Sequence, residues 1–532
     1  MDVRHCLSKI ALILAFLIAG CQRKPAEMNR SIHINLGQEP DTIDVRKARK
    51  LDSVIVCKML YEGLTRISKA RDVEPALAEQ IWVSDDGLIY RFYLKKTFWS
   101  NGEPVTANDF LAAWTAILDP QFPSDIAYQL YPIKNASDVK NGLKPQEALG
   151  ISAPDLQTLV VQLKEPTPYF LDLCATPAYF PVPSNTVKQN NNWAASAETF
   201  VGNGPFILTQ WSHNDHLTVE KNAIYWDAEQ VHLDQIELVI VTPDTEIRLF
   251  EDKKLDWAGS PLSVIPPDAI LELKKEQILK TNPLSGTFFF RLNTQQMIQG
   301  KCNILAYKEF RRALGLAIDR ELITTHLLQG DQLPARRFVP PDMHLSQKDY
   351  FLDDLDQAGK LLTAALDSFM TKSATVVVSF SNTERNFAIA QAVQKQWERL
   401  PNLNIELEPL ENKVFLDRIK SGNFQIAAGS WIADFDDPIN FLEVFKYKAA
   451  SVNNTFWENA KYVELLNQSA LCRSFDERRE LMRQAEEILM DEMPMIPIFH
   501  FATNYLQSDR LKNVFLSSIG QIDFRWAEIN PE

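Results

Sequence analysis

The stretch from Thr375 to Pro438 constrains this chain more than any other. Thr375-Val-Val-Val-Ser-Phe380 is a β-branched apolar run, as expected of a strand buried on both faces. Asn382-Thr-Glu-Arg385 carries a helix-start signal, and Phe387, Ala390, Val393 and Trp397 then recur at helical spacing. Residues 403–407 read as a second strand, and residues 414–420 as a short helix stopped by Ser421-Gly422. Residues 424–428 read as a third strand. The pattern is βαβαβ, which requires parallel strands joined by right-handed crossovers.

Open sheets of this kind gather ligands outside the carboxyl ends of their strands. Three segments are expected there: residues 381–385, 409–413 and 429–437. The last offers a backbone bared at Gly429, then Ser430, a wide aromatic at Trp431 and a carboxylate at Asp434. An amine-bearing, partly apolar guest suits that set. The same residues also fit a core tryptophan followed by a capping aspartate, and the sequence leaves both readings open.

A chain of 532 residues is too long for one core, so two or three domains are expected. The formal charge of −14 excludes a nucleic-acid partner, which needs a basic face. At the N-terminus Arg4, His5 and Lys9 precede a short apolar run over residues 10–18, and Ile18-Ala-Gly-Cys21 follows. This order matches a bacterial lipobox, in which residues 1–20 are removed and the Cys21 thiol is lipidated. Residues 21–30 then form a polar tether. No second apolar run of membrane-spanning length occurs.

Further along, Tyr61-Glu-Gly-Leu64, Trp82-Val-Ser-Asp-Asp-Gly87 and Phe98-Trp-Ser-Asn-Gly-Glu-Pro-Val-Thr-Ala-Asn-Asp-Phe110 stand in order. Glu165-Pro-Thr-Pro-Tyr-Phe170, Gly202-Asn-Gly-Pro-Phe206, Asn222-Ala-Ile-Tyr-Trp226 and Phe310-Arg-Arg-Ala-Leu-Gly-Leu-Ala-Ile-Asp-Arg320 follow. Over residues 31–525 the chain resembles the extracytoplasmic solute-binding proteins of the peptide/nickel class, which serve ABC importers. It sits nearest the oligopeptide binders.

The resemblance implies an α/β fold of the two-lobed, periplasmic-binding-protein-like (class II) type, a clamp with an extra inserted domain. Domain I would comprise residues 31–61, 186–286 and 499–532, domain II residues 62–185, and domain III residues 287–498. The chain would cross between lobes near Ser285-Gly286 and again near residues 497–501. It further implies an extended oligopeptide between the lobes, paired with a protein strand. Asp434 would hold the peptide α-ammonium, Gly429 and Ser430 would supply backbone partners, and Trp431 would form one wall. Arg49, Lys50 and Leu51 match the loop that approaches the ligand's start, with Tyr128 or Tyr131 lining the cleft.

Three positions depart from the family pattern. Relatives carry a tryptophan where this chain has Asn412 and an arginine where it has Ala428, so the ligand carboxylate must be read differently. Arg385, Arg418 and Lys420 are the candidates, with Asn382 beside them; solvated helix residues remain the bland alternative. Relatives with a cysteine after the tryptophan have it stapled by a disulfide, whereas this chain has Ile432.

The enzyme and metal classes find little purchase. There is no HExxH, GxSxG or GxxxxGK[ST] motif. His213 and His216 sit three apart in a turn, and with His232 they read as surface polar residues rather than ligands. Cys57, Cys174, Cys302 and Cys472 show no metal spacing, and their pairing cannot be read. The expectation is a monomeric, lipid-anchored binding subunit without cofactor, delivering oligopeptides to a permease. A cell-wall peptide, dipeptide, nickel or oligosaccharide ligand is the alternative on the same fold, and a secreted hydrolase the alternative of another class.

Overall fold

The computed structural model describes residues 30–472 and 474–530. The apolar leader, the lipobox with Cys21 and nearly all of the tether lie outside these residues. The chain opens with strand β1 (Ser31–Asn35) and helix α1 (Leu51–Leu60). A smaller unit follows, made of β2 (Ala78–Val83), β3 (Ile89–Leu94), helix α2 (Ala107–Leu118), β4 (Ile151–Ser152) and β5 (Thr158–Gln162). Its four strands form a separate antiparallel sheet in the order β2-β3-β5-β4. Thr106 and Asp109 close the start of α2 as a reciprocal capping box, so the Pro-Val-Thr-Ala-Asn-Asp signal has a direct structural cause.

The chain then returns with β6 (Phe206–Ser212), β7 (His216–Lys221), β8 (Gln235–Val239) and β9 (Trp257–Gly259). Two long strands carry the fold across the molecule: β10 (Lys280–Leu292) and, near the C-terminus, a strand of equal length over Met495–Gln507. Between them lie β11 (Leu333–Pro334), β12 (Ala374–Ser381), α3 (Glu384–Trp397), β13 (Leu403–Leu410), α4 (Asn412–Lys420), β14 (Ile426–Ile432) and α5 (Phe475–Glu492). The late strand is β15.

One eleven-stranded sheet runs through both lobes in the order β13-β12-β14-β10-β15-β9-β1-β8-β7-β6, with β11 paired to β15. The early half of β10 pairs with residues 502–505 of β15, the later half with residues 495–500, and the register slips between Pro283 and Thr287. A bulge at that point bends and twists the paired strands locally. It lies at Ser285-Gly286, where the family resemblance implied a crossing between lobes.

The βαβαβ reading is met: β12 is parallel to both β13 and β14. Val376, Val378 and Phe380 of β12 are buried, as are Ile389, Val393 and Trp397 of α3. Thr383 caps α3 by accepting from the Asn386 N–H at 3.2 Å. Trp397 is fully buried yet keeps a partner, its indole N–H donating to the Leu314 carbonyl at 2.8 Å. Gly422 ends α4 with φ +68°, a left-handed conformation suited to glycine.

The boundaries of β13, α4 and β14 differ from expectation, and the end of β14 matters most. Strand β14 runs on through Ile432 instead of stopping at residue 428, because β10 pairs with it from Ile426 to Ile432. Gly429, Ser430 and Trp431 are therefore strand residues, and only Ala433 onward forms the loop. Local apolar pattern could not reveal this, since the pairing partner is more than a hundred residues away in sequence.

Candidate ligand cleft

Strand β14 has one satisfied edge and one open edge. Toward β10 it is paired along its whole length, and the Ala433 N–H extends the ladder to the Ser285 carbonyl at 2.9 Å. Toward β12 the pairing covers only Ile426 and Ala427. Backbone groups of alternate residues point to opposite edges, so with Ala433 facing β10, the N–H and C=O of Ser430 and Ile432 face the open side. Among the described residues these groups meet no other strand. An unpaired edge of this kind is a template for an added strand.

At the loop end of this edge Asp434 is set by Asn440. The Asn440 side-chain carbonyl accepts from the Trp431 indole at 2.8 Å and from the Asp434 backbone N–H at 3.3 Å. Wall and carboxylate are thus fixed by one buried amide at the start of the Ile439–Leu442 helix. Crowding by protein raises the Asp434 pKa, and the Asn440 hydrogen bond partly opposes the rise. Among the described residues no cation pairs with it.

Its neighbours are committed elsewhere. Arg478 holds Asp437 in a fork at 2.7 and 2.9 Å, and Asp436 accepts from Ser518 at 3.3 Å. Asp434, Asp436, Asp172 and Arg71 line a cavity of about 20 Å³, enough for one water-sized group. Tyr169 stacks on Phe435 at 4.3 Å and brings the opposite lobe against the loop.

From that opposite lobe comes Tyr128, whose hydroxyl pKa is raised by burial and then by the Asp434 charge, while Arg49 lowers it. Three residues chosen from sequence, Tyr128, Arg49 and Asp434, therefore face one another across the cleft. Arg49 is exposed, 3.9 Å from Asp125, and Leu51 is an exposed residue at the start of α1.

The other end of the edge opens into a cavity of about 190 Å³ lined by Phe288, Arg385, Asn386, Phe415, Ala428, Gly429, Ser430 and Phe501. It lies between the carboxyl ends of β12 and β14, where the crossovers depart in opposite senses and ligands collect. Arg385 stands over the rings of Phe499 (5.4 Å) and Phe501 (5.2 Å). No carboxylate among the described residues pairs with it, and burial lowers its pKa.

Arg418 is a different case. It donates to both oxygens of Glu408, at 2.9 and 3.1 Å, so its charge is answered within the protein and it is not assigned to a ligand. Asn382 is exposed and donates its backbone N–H to the Leu410 carbonyl at 2.8 Å, which leaves its neighbour Asn386 to line the cavity. Sequence reading missed Arg291, whose guanidinium lies over Gly429: a Cβ there would sit 2.1 Å from Nη1. A side chain at position 429 would push that guanidinium aside. A glycine facing an arginine across two strands was visible only once the register was known.

Cys57, Cys174, Cys302 and Cys472 are all free thiols. His213 faces Glu39 and His216 faces Asp215, and no cluster among the described residues could hold a metal ion. No helix among them is long and apolar enough to cross a membrane.

Comparison with known proteins fixes the class. The profile of the bacterial extracellular solute-binding proteins, family 5, matches residues 72–453. The oligopeptide-binding protein OppA of Bacillus subtilis is 35% identical over 99% of both chains. The periplasmic murein peptide-binding protein MppA of Escherichia coli is 28% identical over 90% of this chain and 89% of its own. Among solved structures, the unliganded open form of the MppA murein tripeptide-binding protein superposes with a TM-score of 0.82 at 28% identity, covering 94% of this chain and 98% of that one. Haemophilus influenzae OppA in complex with the peptide RPPGFSPFR gives 0.74 at 26% identity, over 94% and 99%. The chain belongs to the family 5 extracellular solute-binding proteins.

Proposed function

We propose that this protein is the peptide-binding subunit of an ABC importer, a clamp without chemistry of its own. The observation that carries the reading is the open edge at Ser430 and Ile432, which runs from Asp434, a carboxylate without a cation partner among the described residues, to a cationic end where Arg385 and Arg291 stand. An extended peptide is a strand with an ammonium at one end and a carboxylate at the other, and this edge complements all three features. Asp434 receives the α-ammonium, Trp431 forms a wall, and Tyr128 and Arg49 close over the start of the ligand. Binding of this kind is sequence-tolerant, since backbone groups and termini are the parts recognised and side chains project into water.

The division into residues 31–61 with 186–286 and 499–532, residues 62–185, and residues 287–498 belongs to the same reading. The bulge between Pro283 and Thr287 serves as its hinge. The lipid anchor at Cys21, an envelope location and a monomeric state belong to the same reading. A cell-wall tripeptide is the second ligand class, since a murein tripeptide-binding protein is among the structures that share this fold. Native mass spectrometry of the unlipidated protein, purified without added ligand, tests the reading: a set of short peptides supports it, and a bound metal or sugar contradicts it.

A further inference from the structure

We infer that Arg291 ends the ligand: its guanidinium, laid across Gly429 to the free edge of β14, takes the carboxylate of a peptide of three or four residues. The inference rests on the peptide reading above and says how that same cleft recognises the ligand's far end.

Arg291 belongs to β10, not to the site strand, and its register partner is Ala427. Its side chain crosses the space left by the missing Gly429 side chain, and Nη1 donates to the Ala428 carbonyl at 2.9 Å. By the alternation that turns Ser430 and Ile432 outward, the Ala428 carbonyl faces the open edge too. The guanidinium therefore reaches the place where an added strand would continue past Ser430.

Among the described residues its charge has no answering carboxylate. Arg385 is without a carboxylate partner as well, but its side chain is exposed on α3. The other buried arginines of this lobe are neutralised or fully engaged: Arg320 by Asp353 at 2.6 Å, Arg478 by Asp437, Arg337 by Asp349, and Arg311 by four backbone carbonyls and Glu492. Arg291 has one carbonyl and the Phe289 ring, 5.0 Å away. Burial alone pushes its pKa down to about 10. A desolvated cation without a partner is costly, and filling the space over a glycine does not call for one. An incoming carboxylate answers it through the fork geometry for which arginine is suited.

The placement also sets a length. Ile432 and Ser430 are pairing positions two residues apart, so they accept ligand residues 1 and 3 when the ammonium is at Asp434. The next pairing position is Ala428, whose carbonyl Arg291 already holds. At roughly 3.3 Å per strand residue, the five steps from Asp434 to Gly429 span about 17 Å. The Asp434 and Arg291 side chains take up several ångströms of that, leaving room for three or four residues.

The test is calorimetric titration of tri-alanine and of its C-terminal amide into the wild-type protein and into Arg291→Met and Arg291→Lys. The wild type should prefer the free acid about tenfold or more, and Arg291→Met should bring the two within about twofold. If Arg291→Met melts too early to titrate, Arg291→Lys decides. It keeps the stem and the charge, and should lose about three- to tenfold for the acid alone. Equal affinity for acid and amide in the wild type, full discrimination in Arg291→Met, or an equal loss for both ligands in Arg291→Lys overturns the assignment to Arg291 and leaves peptide binding standing. Binding of neither ligand by the wild type overturns the peptide reading itself.

Discussion

Arg478 grips Asp437 through two hydrogen bonds, at 2.7 and 2.9 Å, while Asp434, three residues earlier in the same loop, forms no ion pair among the described residues. The loop thus holds one carboxylate that belongs to the fold and one that awaits a partner. Their substitutions should separate cleanly.

Asp437→Ala strands the buried Arg478 guanidinium and should cost about 3–5 kcal/mol, seen as a large drop in the urea midpoint. Asp434→Ala should leave the unfolding free energy within about 0.5 kcal/mol of wild type and weaken tripeptide binding by about 10- to 100-fold, the loss of a charge-assisted bond. A stable Asp437→Ala protein would show that the loop is held by something other than this pair.

The raised pKa of Asp434 gives binding a pH dependence of definite sign. The ionised carboxylate is the form that holds an ammonium. Affinity is therefore full above the raised pKa of the free protein and falls as the pH drops through it, beginning above the ordinary value of 3.8. Calorimetry near pH 7 and near pH 4.5 should show several-fold weaker binding at the lower pH. With Asp434→Asn the two affinities should coincide.

Asp172 titrates in the opposite sense for stability. Burial, then the charges of Asp437 and Asp436, push its pKa up from 3.8 to about 7, with Arg478 opposing. A carboxyl whose folded pKa is raised stabilises the protein fully only below its unfolded pKa, and that contribution is lost as pH rises through about 7. Asp172→Asn should therefore raise the melting temperature near pH 8 by several degrees and leave it unchanged near pH 3.5. Thermal melts at both values check this, and an equal shift at the two would show that charge is not the cause.

Gly429→Ala tests the packing beneath the cleft. The new Cβ meets the Arg291 guanidinium at 2.1 Å, so the arginine must leave the Ala428 carbonyl. Those atoms are the far end of a flexible side chain that can swing aside, so the cost to stability should stay below about 1 kcal/mol. The loss should fall on the free acid of tri-alanine, and a Gly429→Ala protein that prefers acid over amide as strongly as wild type would mean that Arg291 does not lie where this account needs it.

Much of this was legible in the sequence because its signals are local. The β-branched run of β12, the Thr383 cap of α3 and the Gly422 stop of α4 each declare themselves within a few residues. Asp434 and Trp431 were singled out by resemblance and by position after a strand. The extent of β14, the open edge and the crossing arginine were not legible. They depend on the register of β14 against β10, set by contacts between residues about 140 apart in the chain. Arg418 misled for the same reason: its partner Glu408 becomes a neighbour only when β13 and α4 pack.

The most direct test of the central claim is calorimetric comparison of tri-alanine with its N-acetylated form, which differs only by the charge at the ligand's start. The account predicts that the free peptide binds and that acetylation weakens it by about 100-fold or more, because Asp434 then faces a neutral amide. Equal affinity for the two forms would contradict the claim that Asp434 and the open edge of β14 receive a peptide by its ammonium and backbone.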